Sequence, residues 1–282
     1  MIEKVQKKMN FKLSSFNGTY RFYTLEYYFE QISKMGFKYC EIWTGPMHFY
    51  VNHREYEDID KLKKLSKKYD ISIIAICPEQ TNPKPNNIAT LDSKLVINVF
   101  NYYKNIIDIS SKIGANKVIV TSGWGFLDKK REEAYSASIK MMQNICDHAL
   151  KKEVELSIEA LQSGETNLVR SLDELEKYVN CVDRKNLYIC LDTGAMNGSG
   201  DDIKNYFLRF KNKINHIHLT DGNPTGHLAL GDGKCDIFSY LKEIKRNNYS
   251  GYITFESVSS KYYMNPVESD MKNLNFFKGL II

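Results

Sequence analysis

The sequence predicts an α/β protein folded as a single (β/α)8 TIM barrel over residues 1–282. Three observations lead there. Short apolar runs alternate with longer segments of helical period, the alternation completes eight times, and neither GxGxxG nor GxxxxGK[ST] occurs to mark a doubly wound sheet.

The expected strands are Phe11–Phe16, Tyr39–Thr44, Ser72–Cys77, Lys117–Thr121, Glu155–Ala160, Leu187–Asp192, Asn215–Thr220 and Tyr252–Glu256. Most are continuously apolar for several residues, as strands covered on both faces require. Helices are expected over 24–35, 58–69, 93–113, 131–152, 171–180, 201–212, 236–247 and near 266–280. In the fourth, Ile139, Met142, Ile145, Cys146 and Ala149 recur at spacings of three and four and so share one face. Met35-Gly36 and Ile113-Gly114 read as helix stops, and Ser171-Leu172-Asp173-Glu174 as a capping box.

Composition narrows the class of protein. Hydrophobic residues make up 43% and charged residues 26%, which is enough to bury a core and excludes a disordered chain. The net charge of +5 arises from scattered lysines, not a basic stripe, so no nucleic-acid partner is expected. Six cysteines form no CxxC pair and several sit in apolar runs, which reads as buried thiols in a reducing compartment. With no apolar leader and no membrane-length run, a cytoplasmic location and no membrane partner are expected.

In such a barrel the chemistry stands at the C-terminal ends of the strands. The fifth strand ends Ser157-Ile158-Glu159-Ala160, the sixth Cys190-Leu191-Asp192-Thr193, the seventh His216-Ile217-His218-Leu219 and the eighth Thr254-Phe255-Glu256-Ser257. A carboxylate closing an apolar strand is costly to bury unless it is paired or bound to a cation. Three carboxylates and an imidazole on four consecutive strands therefore predict one divalent ion on Glu159, Asp192, His218 and Glu256. Their oxygen-rich donor set suits Mn, Co, Mg or Zn. His216 lies two residues before His218 on the same side and is expected beneath it. An ion that chelates a carbonyl and its neighbouring hydroxyl acidifies the C–H between them, and Glu159 and Glu256 are placed to act as catalytic base and acid.

These strand ends resemble the sugar isomerase/epimerase superfamily, the xylose isomerase-like barrels that include the ketose 3-epimerases and endonuclease IV. Within it the likeness is strongest to the fructoselysine 3-epimerases. It runs through Glu41-Ile42-Trp43, Pro78-Glu79, Ile158 to Glu165 and Asn167, His216 to Gly226-His227 and Gly231-Asp232-Gly233, Gly251-Tyr252 to Glu256, and Tyr263-Met264-Asn265-Pro266. The resemblance implies a metal-dependent isomerase or epimerase in which Glu159, Asp192, His218 and Glu256 hold the metal. Glu159 and Glu256 then exchange the proton at carbon 3 of a small-molecule sugar. It also implies that Glu165 contacts substrate oxygens, with His48, Glu79, Trp124 and His227 as further substrate-binding candidates, and it leaves a homo-oligomer possible. Two departures from the tagatose and psicose epimerases stand out: Ala195 replaces a histidine and Pro224 an arginine. Both point away from a bare ketohexose and toward a modified ketose, with a roomier rim near strands six and seven.

The same ligands serve inosose and dehydroshikimate dehydratases and hydroxypyruvate isomerase, which are the alternative reading. An apurinic-site endonuclease, the weaker alternative, needs further His and Asp ligands for three zinc ions, and none of the six histidines here matches those extra sites. A non-catalytic sugar-binding protein has no need of two opposed carboxylates.

Overall fold

The computed structural model describes residues 11–81 and 84–278. Eight strands, β1 (Lys12–Phe16), β2 (Tyr39–Trp43), β3 (Ser72–Cys77), β4 (Lys117–Val120), β5 (Glu155–Ile158), β6 (Leu187–Asp192), β7 (Ile214–Leu219) and β8 (Tyr252–Phe255), close into a barrel in chain order. Every pairing is parallel, including the β1–β8 seam where Leu13 lies opposite Ile253.

Nine helices surround it among the described residues: α1 (Leu25–Lys34), α2 (Asp60–Tyr69), α3 (Ser93–Ile113), α4 (Arg131–Lys151), α5 (Leu172–Val182), α6 (Thr193–Ser199), α7 (Ile203–Phe210), α8 (Ile237–Arg246) and α9 (Pro266–Lys278). Their apolar faces meet the outside of the strands in one continuous core; on α4 the buried set includes Met142, Ile145, Cys146 and Ala149, the face expected from the period. A small second cluster gathers strand residues Phe16, Ala75, Cys77, Ile119 and Cys190. No helix among the described residues is long and apolar enough to cross a membrane.

The punctuation works largely as read. Gly114 closes α3 in the left-handed region at φ +76°, a conformation that side chains with a Cβ rarely adopt. At α5 the capping box is half made. Ser171 Oγ accepts from Glu174 N–H at 3.3 Å, but the Glu174 carboxylate turns one residue further back and accepts from Arg170 N–H at 2.8 Å.

Three differences from the expected elements matter for the site. Strands β5 and β8 end at Ile158 and Phe255, so Glu159 and Glu256 sit one residue beyond them, although Glu159 N–H still donates to Val120 O and Glu256 N–H to Leu219 O. The segment after β6 turns at once into α6, whose run TGAMNGS carries no helical hydrophobic period and gives no sequence signal. Its start is fixed by Asp192, whose carboxylate accepts from Gly194 N–H at 2.7 Å. The last helix ends at Lys278, and the expected positions 279–280 lie outside the described residues.

Candidate active site

The register of the last strands builds the site. In the β6–β7 ladder Asp192 lies opposite His218, and in the β7–β8 ladder His218 lies opposite Thr254, two residues before Glu256. His218 Nδ1 stands 3.1 Å from Glu159 Oε2 and 3.3 Å from Glu256 Oε2. Asp192, Glu256 and His227 form an adjoining group, with His227 Nε2 3.7 Å from Glu256 Oε2. Glu256 therefore links the two groups, and the four expected ligands converge on one rim.

Beneath them lies a carboxylate the sequence reading did not place in the site. Glu41, fully buried in the middle of β2, receives His216 Nε2 at 2.7 Å and His218 Nε2 at 3.1 Å. With Nε2–H of His218 donating to Glu41, the Nδ1 lone pair is turned to the rim, which is how an outer carboxylate orients a ligating imidazole. Burial alone would raise the Glu41 carboxyl, but His218 and His216 hold it well below the usual range. Burial pushes His216 down to about 4, against the pull of Glu41, so this ring is neutral. The available signal was a glutamate flanked by Cys40 and Ile42, an acid inside an apolar strand.

The electrostatics of the rim are those of too many acids in too little water. Burial, with the neighbouring carboxylates, pushes Glu159 up to about 8 and Asp192 up to about 6. Burial would lift Glu256 too, but His218 and His227 bring it below the ordinary value. Burial would lower His218, yet Cys190, Glu41 and Glu256 drive it well above. A field that forces a proton onto His218 also attracts a divalent cation, which competes with that proton.

The fit of a cation is tested by orphaned atoms. Glu159 Oε2 and His218 Nδ1 are buried without a hydrogen-bond partner, because their 3.1 Å approach lacks hydrogen-bond geometry. Two buried polar atoms left unpartnered at this separation cost free energy unless a proton or a cation is shared between them. Cys190 also lies within reach of Glu159 and His218, and burial pushes its thiol up to about 12, which disfavours the thiolate in the absence of a cation. The oxygen and imidazole donors that remain suit a divalent ion.

These groups open into a cavity of about 540 Å³. Its wall includes Glu79, Glu165 and His227, as expected, and also Arg21, Trp43 and Lys84. Glu165 is raised by burial, and its Oε2 accepts from Gln162 N–H at 3.0 Å; Glu79 pairs with Lys84 at 3.3 Å. His227 is presented in the left-handed region at φ 49° by a loop tied to Asp221. The Asp221 carboxylate accepts from Gly222, Gly231, Gly233 and Cys235 N–H at 2.7–3.0 Å. A Cβ on Gly233 would collide with that carboxylate and with the Gly222 backbone, so the loop requires glycine there.

Two expected substrate contacts are not brought to the cavity. His48 is buried in the framework: Asn17 Nδ2–H donates to its Nδ1 at 2.8 Å, and its Nε2–H donates to Tyr23 O at 3.0 Å. Both nitrogens are occupied, and it acts on the cavity only through the Trp43 ring it abuts. Trp124 lies outside the lining, edge-on to Phe126 with its ring centroid 5.1 Å away. Nor does either departure from the tagatose and psicose pattern shape this cavity. Ala195 is buried in α6, and Pro224 faces a neighbouring hollow with Asn197 and Lys234. A rim histidine and a packed one look alike in sequence, since only the partners of the ring differ.

The comparisons with known proteins agree with the barrel fold. Residues 29–280 match the model of the xylose isomerase-like TIM barrel family, and the chain belongs to that family. Fructoselysine 3-epimerase of Shigella flexneri is 24% identical over 243 residues, 86% of this chain and 87% of that enzyme. An inosose dehydratase of Clostridium perfringens is 25% identical over 130 residues, 39% of this chain and 44% of that one. Among solved structures, an L-ribulose 3-epimerase superposes with TM-score 0.78 at 18% identity, covering 96% of this chain and 94% of its own. An IolI protein with a bound zinc atom gives 0.76 at 19%, covering 96% and 97%. Most of these relatives and neighbours are sugar epimerases, and the chain is an isomerase-type enzyme.

Proposed function

We propose that the chain is a ketose 3-epimerase that holds one divalent metal ion on Glu159, Asp192, His218 and Glu256. The observation that carries the reading is the meeting of Glu159 and Glu256, from different strands, on the one imidazole nitrogen of His218. Inverting a carbon by proton exchange needs a base on one face and an acid on the other, both near the group that acidifies the C–H bond. When bound on these residues, a divalent ion would supply that acidification by drawing electron density from the carbonyl and hydroxyl oxygens beside the carbon. Glu159 and Glu256 do the rest: one takes the proton from carbon 3 and the other returns a proton to the opposite face. Glu41 keeps His218 aligned by holding Nε2–H, and the loop tied to Asp221 brings His227 beside Glu256.

The match to a fructoselysine 3-epimerase over 86% of the chain supports a modified ketose as substrate, and a 540 Å³ cavity has room for more than a bare hexose. Dehydratase chemistry shares the first proton abstraction, but its supporting match covers well under half of the chain. The test is turnover of ketoses by the manganese-loaded enzyme in deuterated water. The expected result is deuterium at carbon 3 of an epimerised product. A ketose with an amine-linked group on carbon 1 is expected to exceed free fructose, tagatose or psicose in kcat/KM by about tenfold or more. Loss of water from the sugar in place of epimerisation would favour the dehydratase, and equal turnover of the free ketohexoses would remove the modified substrate.

A further inference from the structure

The cavity wall is acidic at its metal-binding end, where Glu159, Glu165, Asp192 and Glu256 gather, and its cations are unequal. Lys84 is neutralised by Glu79 at 3.3 Å. Arg21 has no such partner. Its guanidinium carbon lies 4.3 Å from the Tyr263 ring centroid and 5.2 Å from that of Trp43, and its Nε–H donates to Gly18 O at 3.0 Å. Those contacts fix the plane and one edge of the fork. Its terminal nitrogens make no hydrogen bond or salt bridge among the described residues.

A guanidinium packed against two aromatic rings and tied at Nε–H has given up much of its side-chain freedom, so binding through its open edge costs less further ordering. Flat paired donors of this kind match the oxygens of a carboxylate or phosphate, whereas a neutral hydroxyl makes weaker bonds with them. The sequence places Arg21 between β1 and α1, where it lines the cavity with Gly18 and Trp43.

We infer that Arg21 is the receptor for an anionic substituent of the substrate, so that the enzyme takes a ketose bearing a carboxylate or phosphate away from the carbon that is inverted. The inference rests on the ketose epimerase reading for the sugar itself. It adds the charge of the substituent and the residue that selects it.

The test uses two matched pairs with the manganese-loaded full chain: the carbon-1 fructosyl conjugate of glycine against that of glycinamide, and fructose 6-phosphate against fructose. For one pair, KM for the anion is expected to be about tenfold lower than for its neutral match. Arg21→Gln should abolish that preference by raising KM for the anionic member far more than for its neutral match, and Arg21→Lys should retain part of it. The pair that shows the preference tells a carboxylate from a phosphate. Equal KM values within both pairs would overturn the assignment, as would an Arg21→Gln loss that falls alike on charged and neutral members. If no ketose turns over, the epimerase reading fails, and calorimetric binding of the same pairs decides about Arg21. An anion preference removed by Arg21→Gln upholds it, and equal affinities reject it.

Discussion

Both ends of this barrel bury charge, and they treat it in opposite ways. At the N-terminal end a hollow of about 700 Å³, larger than the cavity at the rim, is lined by Lys117, Glu155, Asn215 and Tyr252. Lys117 Nζ donates to Asn215 O at 2.6 Å, Asn215 Nδ2–H to Glu155 Oε2 at 2.9 Å, and Ser157 Oγ–H to Asn215 Oδ1 at 2.7 Å. The network is closed, and the lysine is held in place although burial lowers its pKa. At the C-terminal end Glu159 Oε2 and His218 Nδ1 have no hydrogen-bond partner, and acids crowd one imidazole. Size does not separate the two ends. What separates them is satisfaction: the larger hollow is complete within the protein, whereas the smaller one needs something from outside.

The largest expected effect falls on the two carboxylates that make the rim end incomplete. Glu159→Gln and Glu256→Gln should each reduce kcat for epimerisation by about a thousandfold or more with the fold intact by circular dichroism. On the proposed mechanism the two act on opposite faces, so one variant is expected still to exchange the substrate's carbon-bound proton with deuterated water. Full activity in either variant would erase the distinction between the ends as far as catalysis goes.

A smaller effect is expected where the rim end is satisfied. Asp221→Ala strands four backbone N–H groups in the loop that carries His227 and should cost about 3 kcal/mol of stability, read by denaturant titration, together with a loss of activity. Asp221→Asn, which keeps one acceptor oxygen, should cost less. Equal stability of Asp221→Ala and the parent would show that the loop is held by other contacts.

The gentlest test concerns Asp270 on α9, a buried carboxylate that accepts from Tyr20 OH at 2.7 Å and Ser15 Oγ at 3.3 Å. Burial pushes it up to about 7 despite those two bonds. A folded-state value above that of the unfolded chain means that folding takes up a proton between about pH 4 and pH 7, so stability from this group is full below that window and declines as pH rises through it. Asp270→Asn should flatten that decline in the melting temperature. An unchanged pH profile would show that Asp270 is ionised throughout, and that two hydroxyls suffice to keep a buried carboxylate charged.

Much of this was legible because buried barrel strands and the polar residues at their ends leave opposite marks in a sequence. A run such as YICLD declares both the buried strand and the acid that ends it, so β6 and Asp192 came together, as did Glu159, His218 and Glu256. Glu41 was harder: it lies mid-strand, and only the register that brings β2 opposite His216 and His218 across the barrel reveals its task. His48 shows the converse, a histidine near the rim whose ring is consumed by Asn17 and Tyr23. Helix α6 escaped because its glycines and polar residues carry no apolar period, its start being set by the Asp192 carboxylate. Arg21 carried no signal at all, since its meaning depends on aromatic neighbours 22 and 242 residues away.

The most direct test of the central claim is a crystal of the protein grown with manganese and measured for its anomalous signal. One peak is expected within direct bonding distance of Glu159, Asp192, His218 and Glu256, about 2.0–2.3 Å from their donor atoms, with none in the larger hollow around Lys117. Absence of a peak at the rim with manganese in excess, or a peak held by Glu41 and His216 with the four rim residues turned away, would contradict the account.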